Sequence, residues 1–600
     1  MTNDRIQSYF GLALTITVST LSISSGLSAQ EGRWWATQTA PKSVVRTIEQ
    51  SKFPSVDRAY DMLVQSVAGL AAKAVNEGRS DQLVWVATTN IEIEQWYALM
   101  IKEHPEWETH TEFEPWALVD HFFRKNVIKG YILYSADKSE RPNFEYAKDM
   151  NSSVNVATSL AGALNGVLIE ERLQAQAETY GLKQLADARE MSQSECFERY
   201  KDQFSRQMLC TQDPKKANVR DLAIAHNAMT VYGDDAVVAK AMSWLEPLSP
   251  ILGWNGGDEF ETTKLSSIHG HFQTATDWCM NLPVLMAGSE HATPPKVPHL
   301  APQEIDWNDT RSVVSFVMSD GDNIQWSETS FFLSNQSYWN SPDRGQIPFG
   351  WSCCFSHLTQ LAPTITDFAI TTRTRNDDFI EWGGGYYYPD LFGEATPNRW
   401  ELLAKHAAKT WALMRRNDTR IVGFNVWHPE SADARKSYEV FAGQTEDLLA
   451  IFVFQYAPYE GGAGKTYWVK DRNGVEIPVI TARYSIWEHS NNRPRSGTPA
   501  KVAREIVESV SASDTEPRYD WAVVHAWSYF RPIKDTDDDG ENMPQADAES
   551  KGGIRGYTPV TWCVQRLPKN IAVVGPEELV WRLRMKHDPE TTKRLFGEIK

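Results

Sequence analysis

Apolar residues recur at helical spacing along DRAYDMLVQSVAGLAAKAV, residues 57–75, whereas QLVWVATT, residues 82–89, is a short unbroken apolar run that ends in hydroxyls. The first pattern predicts a helix and the second a buried strand. KGYILYSA, residues 129–136, predicts another strand, and VATSLAGALNGVLIEERL, residues 156–173, predicts a helix. Gln184–Asp187 leads into a further helical stretch. Such alternation favours an α/β arrangement built from small units.

TPPKVPHLAPQEIDWND, residues 293–309, holds four prolines and marks a boundary. Beyond it, apolar runs alternate with loops and helices: SVVSFVMSDGDN, DDFIEWGGGYYYP, RIVGFNVWHPE, LLAIFVFQYAPYE, VEIPVITARYSIWEHS, WAVVHAWSYFRP and IAVVGPEELVWRLRM. Six or seven β/α units in the last half of the chain predict a (β/α) barrel-like domain over residues 301–600, preceded by an α/β region over residues 30–300.

The length of 600 residues agrees with more than one domain. The first 29 residues carry one arginine, an apolar run and small residues before Ala29, the pattern of a secretory signal, with an uncleaved anchor as the alternative. Export to the periplasm or beyond is the expectation, with no membrane span once the signal is removed. A formal net charge of -18 excludes nucleic acid and anionic membranes as natural partners. Six cysteines are too few for a disulfide scaffold, although Cys196 and Cys210 are spaced to close a short loop. The 23 tryptophans exceed the 21 tyrosines, which raises a carbohydrate partner, since indoles are stacking surfaces for sugars as well as core material.

In a barrel the chemistry sits where strands end. The residues there are Asp320 and Asp322, Glu381, Trp382 and the glycine-tyrosine stretch, Trp427, His428 and Glu430, Tyr459 and Glu460, Tyr484, Trp487 and Glu488, and His525 and Trp527. Asp320 and Asp322, around Gly321, are paired carboxyls suited to acid/base work, or a polar turn that caps the next helix. A second carboxyl must come from another strand end, and Glu488 and Glu430 are the first candidates. Trp326 follows on the predicted helix beside the Asp320 loop. Tyr386 and Tyr388 share one side of an extended segment, either lining a cleft or packing a corner. His428 and His525 read as pocket residues, and His269 and His271 as structural ones. Asp535, Asp537 and Asp539 before Gly540 form the first half of a calcium loop, but Ala546 stands where its bidentate carboxylate belongs. The leading reading requires no cofactor; this segment is either a calcium loop or a solvated acidic turn.

Gly383-Gly384-Gly385-Tyr386-Tyr387-Tyr388-Pro389 fits the pattern GxGYxYP, and the chain resembles the family named after it, whose members are classed by inference as glycoside hydrolases. Ser319-Asp320-Gly321-Asp322-Asn323, PFGWSCCFSHLTQLAP, ILGWNGGDEF and TDWCMNLPV resemble its other segments, so the likeness runs over most of residues 40–590. It implies an exported, mostly bacterial protein with small N-terminal modules and a barrel-like C-terminal domain. Three functions follow as expectations: glycoside hydrolysis by paired carboxyls, metal-dependent removal of acetyl groups from a polysaccharide, or glycan binding without turnover.

Overall fold

The computed structural model describes residues 33–54, 58–136, 152–287, 289, 293–321, 323–455, 464–488, 493–513, 516–531 and 552–598. Its N-terminal half holds three small sheets, all parallel. The first is β1 (Ser43–Thr47), β2 (Gln82–Trp85) and β3 (Glu112–Phe113), in the order β2-β1-β3. The second is β4 (Gly130–Tyr134), β5 (Gly166–Glu170) and β6 (Gln184–Asp187), in the order β5-β4-β6. The third is β7 (Leu209–Thr211), β8 (Met229–Val231), β9 (Pro250–Gly253) and β10 (Phe272–Thr274), in the order β10-β9-β7-β8.

One expectation is corrected here. Residues 156–173 are half helix and half strand: the helix Ser153–Leu164 stops at Asn165, which takes the left-handed conformation of a C-terminal cap, and β5 begins at Gly166. Gln184–Asp187 is a strand, and the helix Gln193–Tyr200 follows it, as expected. The helix Arg58–Asn76 is buried almost all round, as a helix apolar on most faces must be.

The C-terminal half is one large, mainly parallel sheet. Its strands are β11 (Ser312–Met318), β12 (Phe349–Cys353), β13 (Asp377–Trp382), β14 (Ile421–Val426), β15 (Ala450–Gln455), β16 (Thr466–Lys470), β17 (Glu476–Thr481), β18 (Tyr484–Ile486), β19 (Ser496–Gly497), β20 (Tyr519–Val524) and β21 (Ile571–Val573). The order is β16-β17-β15-β14-β13-β12-β11-β20-β18-β19, β21 also pairs with β11, and only the β16–β17 pair is antiparallel.

This sheet is curled. In a flat sheet β15 and β20, five strand spacings apart, would be separated by about 24 Å. Instead Trp521 of β20 lies 5.0 Å, ring centre to ring centre, from both Phe452 and Phe454 of β15. The run that begins at Val475, predicted as one unit, holds two strands, β17 and β18, divided by a kink. Ala482 N donates to Val453 O of β15, and Arg483 N donates to Trp521 O of β20. The chain thus crosses from one side of the curl to the other within two residues. The result is barrel-like, and a regular eight-stranded barrel is not what it forms.

Aromatic rings fill the concave side. Trp382 stacks at 4.6 Å on Phe454, and Gly423 leaves the space that Phe454 and Ile380 occupy, since a Cβ there would come within 2.6 Å of the Phe454 ring. The excess of tryptophan is therefore mostly core, with Trp85, Trp96, Trp351, Trp382, Trp521 and Trp581 among the largest fully buried side chains. All six cysteines are buried and free, which corrects the expected Cys196–Cys210 bridge.

The proline-rich segment is pinned by one histidine. His299 is held between Glu577, 2.5 Å from its Nδ1, and the Asp418 carbonyl, 2.5 Å from its Nε2. Glu577 N in turn donates to the buried Asp378 carboxyl at 3.0 Å. Burial opposes charge on His299, but the Asp418 and Glu577 carboxylates outweigh it and hold its pKa up at about 9. Burial, then the charge of Glu577, raises Asp378 to about 8. Both raised values mean that the folded state retains protons that the unfolded chain releases, so stability falls as pH rises. The His299 part is complete below pH 6.5 and lost through about pH 9. Thermal midpoints measured from pH 6 to 10 should therefore decline, and more gently in His299→Gln, whereas parallel profiles for the two proteins would refute the clamp.

Candidate active site at the mouth of the curled sheet

The glycine-tyrosine segment follows β13 directly. Gly384 and Gly385 have φ of +85° and +112°, a region that L side chains rarely enter. Their turn swings the chain outward so that Tyr386 meets β10 of the third N-terminal sheet. Gln273 N donates to Tyr386 O at 2.9 Å, and Tyr386 N to Gln273 O at 3.0 Å. Tyr388 N donates to Ser267 Oγ at 2.9 Å. The Tyr386 ring lies edge-on to Trp254 at 5.6 Å, and the Tyr388 ring packs at 5.2 Å on Trp427. All three tyrosines are buried. Tyr386 and Tyr388 therefore build a junction between two parts of the chain, the second of the two alternatives, a packed corner.

A different group of residues gathers where β11, β20 and β18, neighbours in the sheet, come to an end. Asp320 stands just after β11 with φ of +67°, a strained value for a residue with a side chain. Two donors fix its carboxyl: the Trp527 indole N–H at 2.9 Å and the Ser319 hydroxyl. Ser319 also accepts from Ala526 N at 3.2 Å, tying β11 to the chain beyond β20. Gly321 presses against the Ser352–Cys353 peptide, where a Cβ would meet backbone atoms at 2.3 Å. The loop can turn only with glycine at that position.

From β18 come Trp487 and the buried Glu488, and from β20 comes His525. The Ser528 hydroxyl joins them, accepting from Glu488 N at 3.3 Å and lying 2.8 Å from His525 Nδ1. Trp487 and His525 are in ring contact at 5.2 Å. Trp527 touches Trp326 at 4.9 Å, and the Arg555 guanidinium lies 5.7 Å from the Trp527 ring centre. The concave interior adds orphaned polar atoms nearby. Asn425 shares the inward face of Gly423 by the two-residue period of a strand, and Asn425 Oδ1, Trp382 Nε1 and Ser485 Oγ are buried with no hydrogen-bond partner. Buried polar atoms of this kind call for a partner from outside the protein.

Asp320, Glu488, Trp487, His525 and Trp527 are thus brought to adjacent strand ends, with Trp326 buried beneath Trp527 as packing instead of surface. Other candidates are placed differently. Glu430 is exposed and ion-paired with Lys465 at 2.5 Å, which removes it from the carboxyl pair. Glu381 is fully buried, accepting from Ser356 Oγ at 2.6 Å and Ser356 N at 3.1 Å, and burial pushes its pKa up to about 7. It braces the helix Phe355–Leu361, with both of its carboxylate oxygens held by Ser356. Trp382 is likewise covered, in the aromatic stack. Trp427 and exposed His428 form a turn whose two N–H groups are held by the buried Asp390 carboxyl at 3.0 and 2.7 Å. Asp322, Tyr459, Glu460, Asp535, Asp537 and Asp539 lie outside the described residues. Among the described residues no group of three or more acids, histidines or cysteines is placed to hold a metal ion.

Ser319, Asn425, Ser528 and Arg555 were not foreseen. Asn425 had a legible signal, an amide inside the apolar run IVGFNV, while Ser528 and Arg555 are drawn in only by tertiary contacts. The N-terminal half also reaches this site. The short helix Ile324–Thr329, which follows the Asp320 loop, is fastened by Gln325 N to Ala275 O at 3.0 Å, by Trp278 N to Gln325 Oε1 at 2.7 Å and by Met280 N to Glu328 Oε1 at 3.1 Å.

The glycine turn generates a direct test. An alanine at 385 would place its Cβ 2.6 Å from the Phe272 ring while φ stays at +112°. Strain and overpacking together should cost about 2–5 kcal/mol. Urea unfolding of Gly385→Ala that matches wild type would show that the turn carries no such load.

Family models match three segments: "GxGYxYP_N second domain" at residues 128–204, "GxGYxYP third domain" at 206–287 and "GxGYxYP putative glycoside hydrolase C-terminal domain" at 311–536. The first two coincide with the second and third N-terminal sheets. A crystal structure described as a putative hydrolase from Bacteroides thetaiotaomicron VPI-5482 shares the fold, with a TM-score of 0.73 over 92% of this chain and 96% of that one at 22% identity. No curated protein matches the sequence. With its N-terminal modules and its C-terminal domain each matched in order, the chain belongs to the GxGYxYP family.

Proposed function

We propose that the protein is an exported hydrolase that cleaves a glycosidic bond in a polysaccharide or oligosaccharide, with Asp320 and Glu488 as its two carboxyls. The observation that carries this reading is their placement. They come from the ends of strands on either side of β20, and between them stand His525 and Trp527. Family membership supports a hydrolase in general terms.

The roles follow from the surroundings. Asp320, oriented by an indole N–H and a serine hydroxyl, is suited to act as nucleophile or as the base that activates water. Glu488, buried beside Ser528, is suited to protonate the leaving oxygen. Trp487 and Trp527, both half-buried, offer indole surface to the sugar. The Arg555 guanidinium adds a positive charge at the rim.

Release of reducing sugar and of acetate from plant, algal and bacterial polysaccharides tests the reading. Asp320→Asn and Glu488→Gln should each lower sugar release by about 100-fold or more. Glu430→Gln, at the surface ion pair, should retain wild-type turnover. Acetate without sugar would move the protein to the deacetylases, and glycan binding with neither product would make it a binding protein.

A further inference from the structure

A cavity of about 1050 Å³ lies at the junction of four parts of the chain, away from Asp320 and Glu488. Trp34 borders it from the N-terminal segment and Lys73 from the end of helix Arg58–Asn76. His226 and Asn227 border it from the third module, and Lys409 and Arg416 from helix Arg399–Asn417. The junction is the one that the glycine turn creates, because Trp34 packs 4.8 Å from both Phe272 and His406, whose rings lie 5.5 Å from each other.

The charge of this cavity runs against that of the molecule. Four cationic side chains, Arg33, Lys73, Lys409 and Arg416, face two carboxylates, Glu77 and Glu246, in a chain of net charge -18. Some of that charge is already used. Glu77 pairs with Arg79 at 2.5 Å, Lys73 donates to Gly162 O at 2.5 Å, and Arg33 donates to Ser289 Oγ at 2.9 Å. Lys409 and Arg416 make no ion pair or hydrogen bond with a described residue. The Lys409 ammonium lies 4.5 Å from the centre of the Trp34 ring. Burial lowers the pKa of Lys409 to about 8. His226 Nε2 and Asn227 Oδ1 are also buried without a partner.

The size and the spacing narrow the ligand. Lys409 and Arg416 are two helical turns apart on one face, about 10.5 Å along the axis, and small Ala412 keeps the floor between them low. The volume is at the upper end of that of ligand pockets, roughly 300–1,000 Å³. A single phosphate would reach one of the two cations, whereas a chain of rings with a carboxylate on every second ring would span both.

We propose that this cavity binds an acidic oligosaccharide, a uronic-acid type with Lys409 and Arg416 each taking one carboxylate, at a site separate from the reaction centre. Charge-assisted contacts of this kind are what orient and select an anion, and the flanking amide and imidazole supply contacts for its hydroxyls.

Calorimetric titration of the full chain with tetragalacturonate, a neutral cello-tetramer and inorganic sulfate tests it. The acidic tetramer should bind at one site, weaken with added salt, and outbind both other probes. Lys409→Met and Arg416→Gln should each weaken it about tenfold, and Lys409→Arg should keep it. Ala412 is exposed on its helix, so Ala412→Glu, which puts a carboxylate on the cavity floor, gives a variant that does not depend on removing a buried group and should abolish binding. Glu488→Gln should bind as wild type does, so failure of the proposed reaction and failure of this site are separate results. No binding of the acidic tetramer, equal binding of the neutral tetramer or of sulfate, or binding that survives Ala412→Glu would overturn the proposal.

Discussion

Two main-chain hydrogen bonds, exchanged between Gln273 and Tyr386, set the relation between the two halves of the protein. They require the chain leaving β13 to turn outward at once, and the glycines at 384 and 385 are what make that turn accessible. Once β10 is seated there, the chain that follows it, residues 275–280, is carried to the helix Ile324–Thr329, where Ala275, Trp278 and Met280 are all engaged. That helix starts four residues after Asp320. The N-terminal region therefore supports the helix that follows Asp320.

The curl of the C-terminal sheet does the other half of the positioning. Because the run from Glu476 to Ile486 breaks between 482 and 483, its first part hydrogen-bonds to β15 and its second to β20. Without that break Glu488 would leave the sheet beside β15. With it, Glu488 emerges next to His525 and one strand from Asp320. The rings of Trp382, Phe454 and Trp521 pack together within the curl, an apolar interior in which electrostatic interactions are stronger than in water.

Much of this was legible in the sequence, and the limits have physical causes. Parallel strands buried on both faces read as unbroken apolar runs, so β11, β13, β14, β15 and β20 are plain, and the loop after each marks the end at which chemistry collects. The break at Ala482–Arg483 is invisible because neither residue interrupts the apolar pattern in a way that a surface position would not. Asp320, Glu488, His525 and Trp527 are singled out as candidates by the strand-end rule alone. That rule cannot separate them from Glu381 and Glu430, whose different fates depend on Ser356 and Lys465, 25 and 35 residues away in the chain.

The tyrosine motif illustrates why a sequence signature need not coincide with the chemistry. An active-site carboxylate is constrained mainly by what its oxygens touch, and its neighbours on an exposed loop are free to vary. A junction such as this one constrains every successive residue at once: glycine where φ is positive, a main chain in register with β10 at Tyr386, rings that fill the gap between Trp254 and Trp427, and a carboxyl at Asp390 to hold the Trp427–His428 turn. The dense run from Gly383 to Asp390 is what such a junction demands of a sequence. Its contacts place the third module against the helix that follows Asp320.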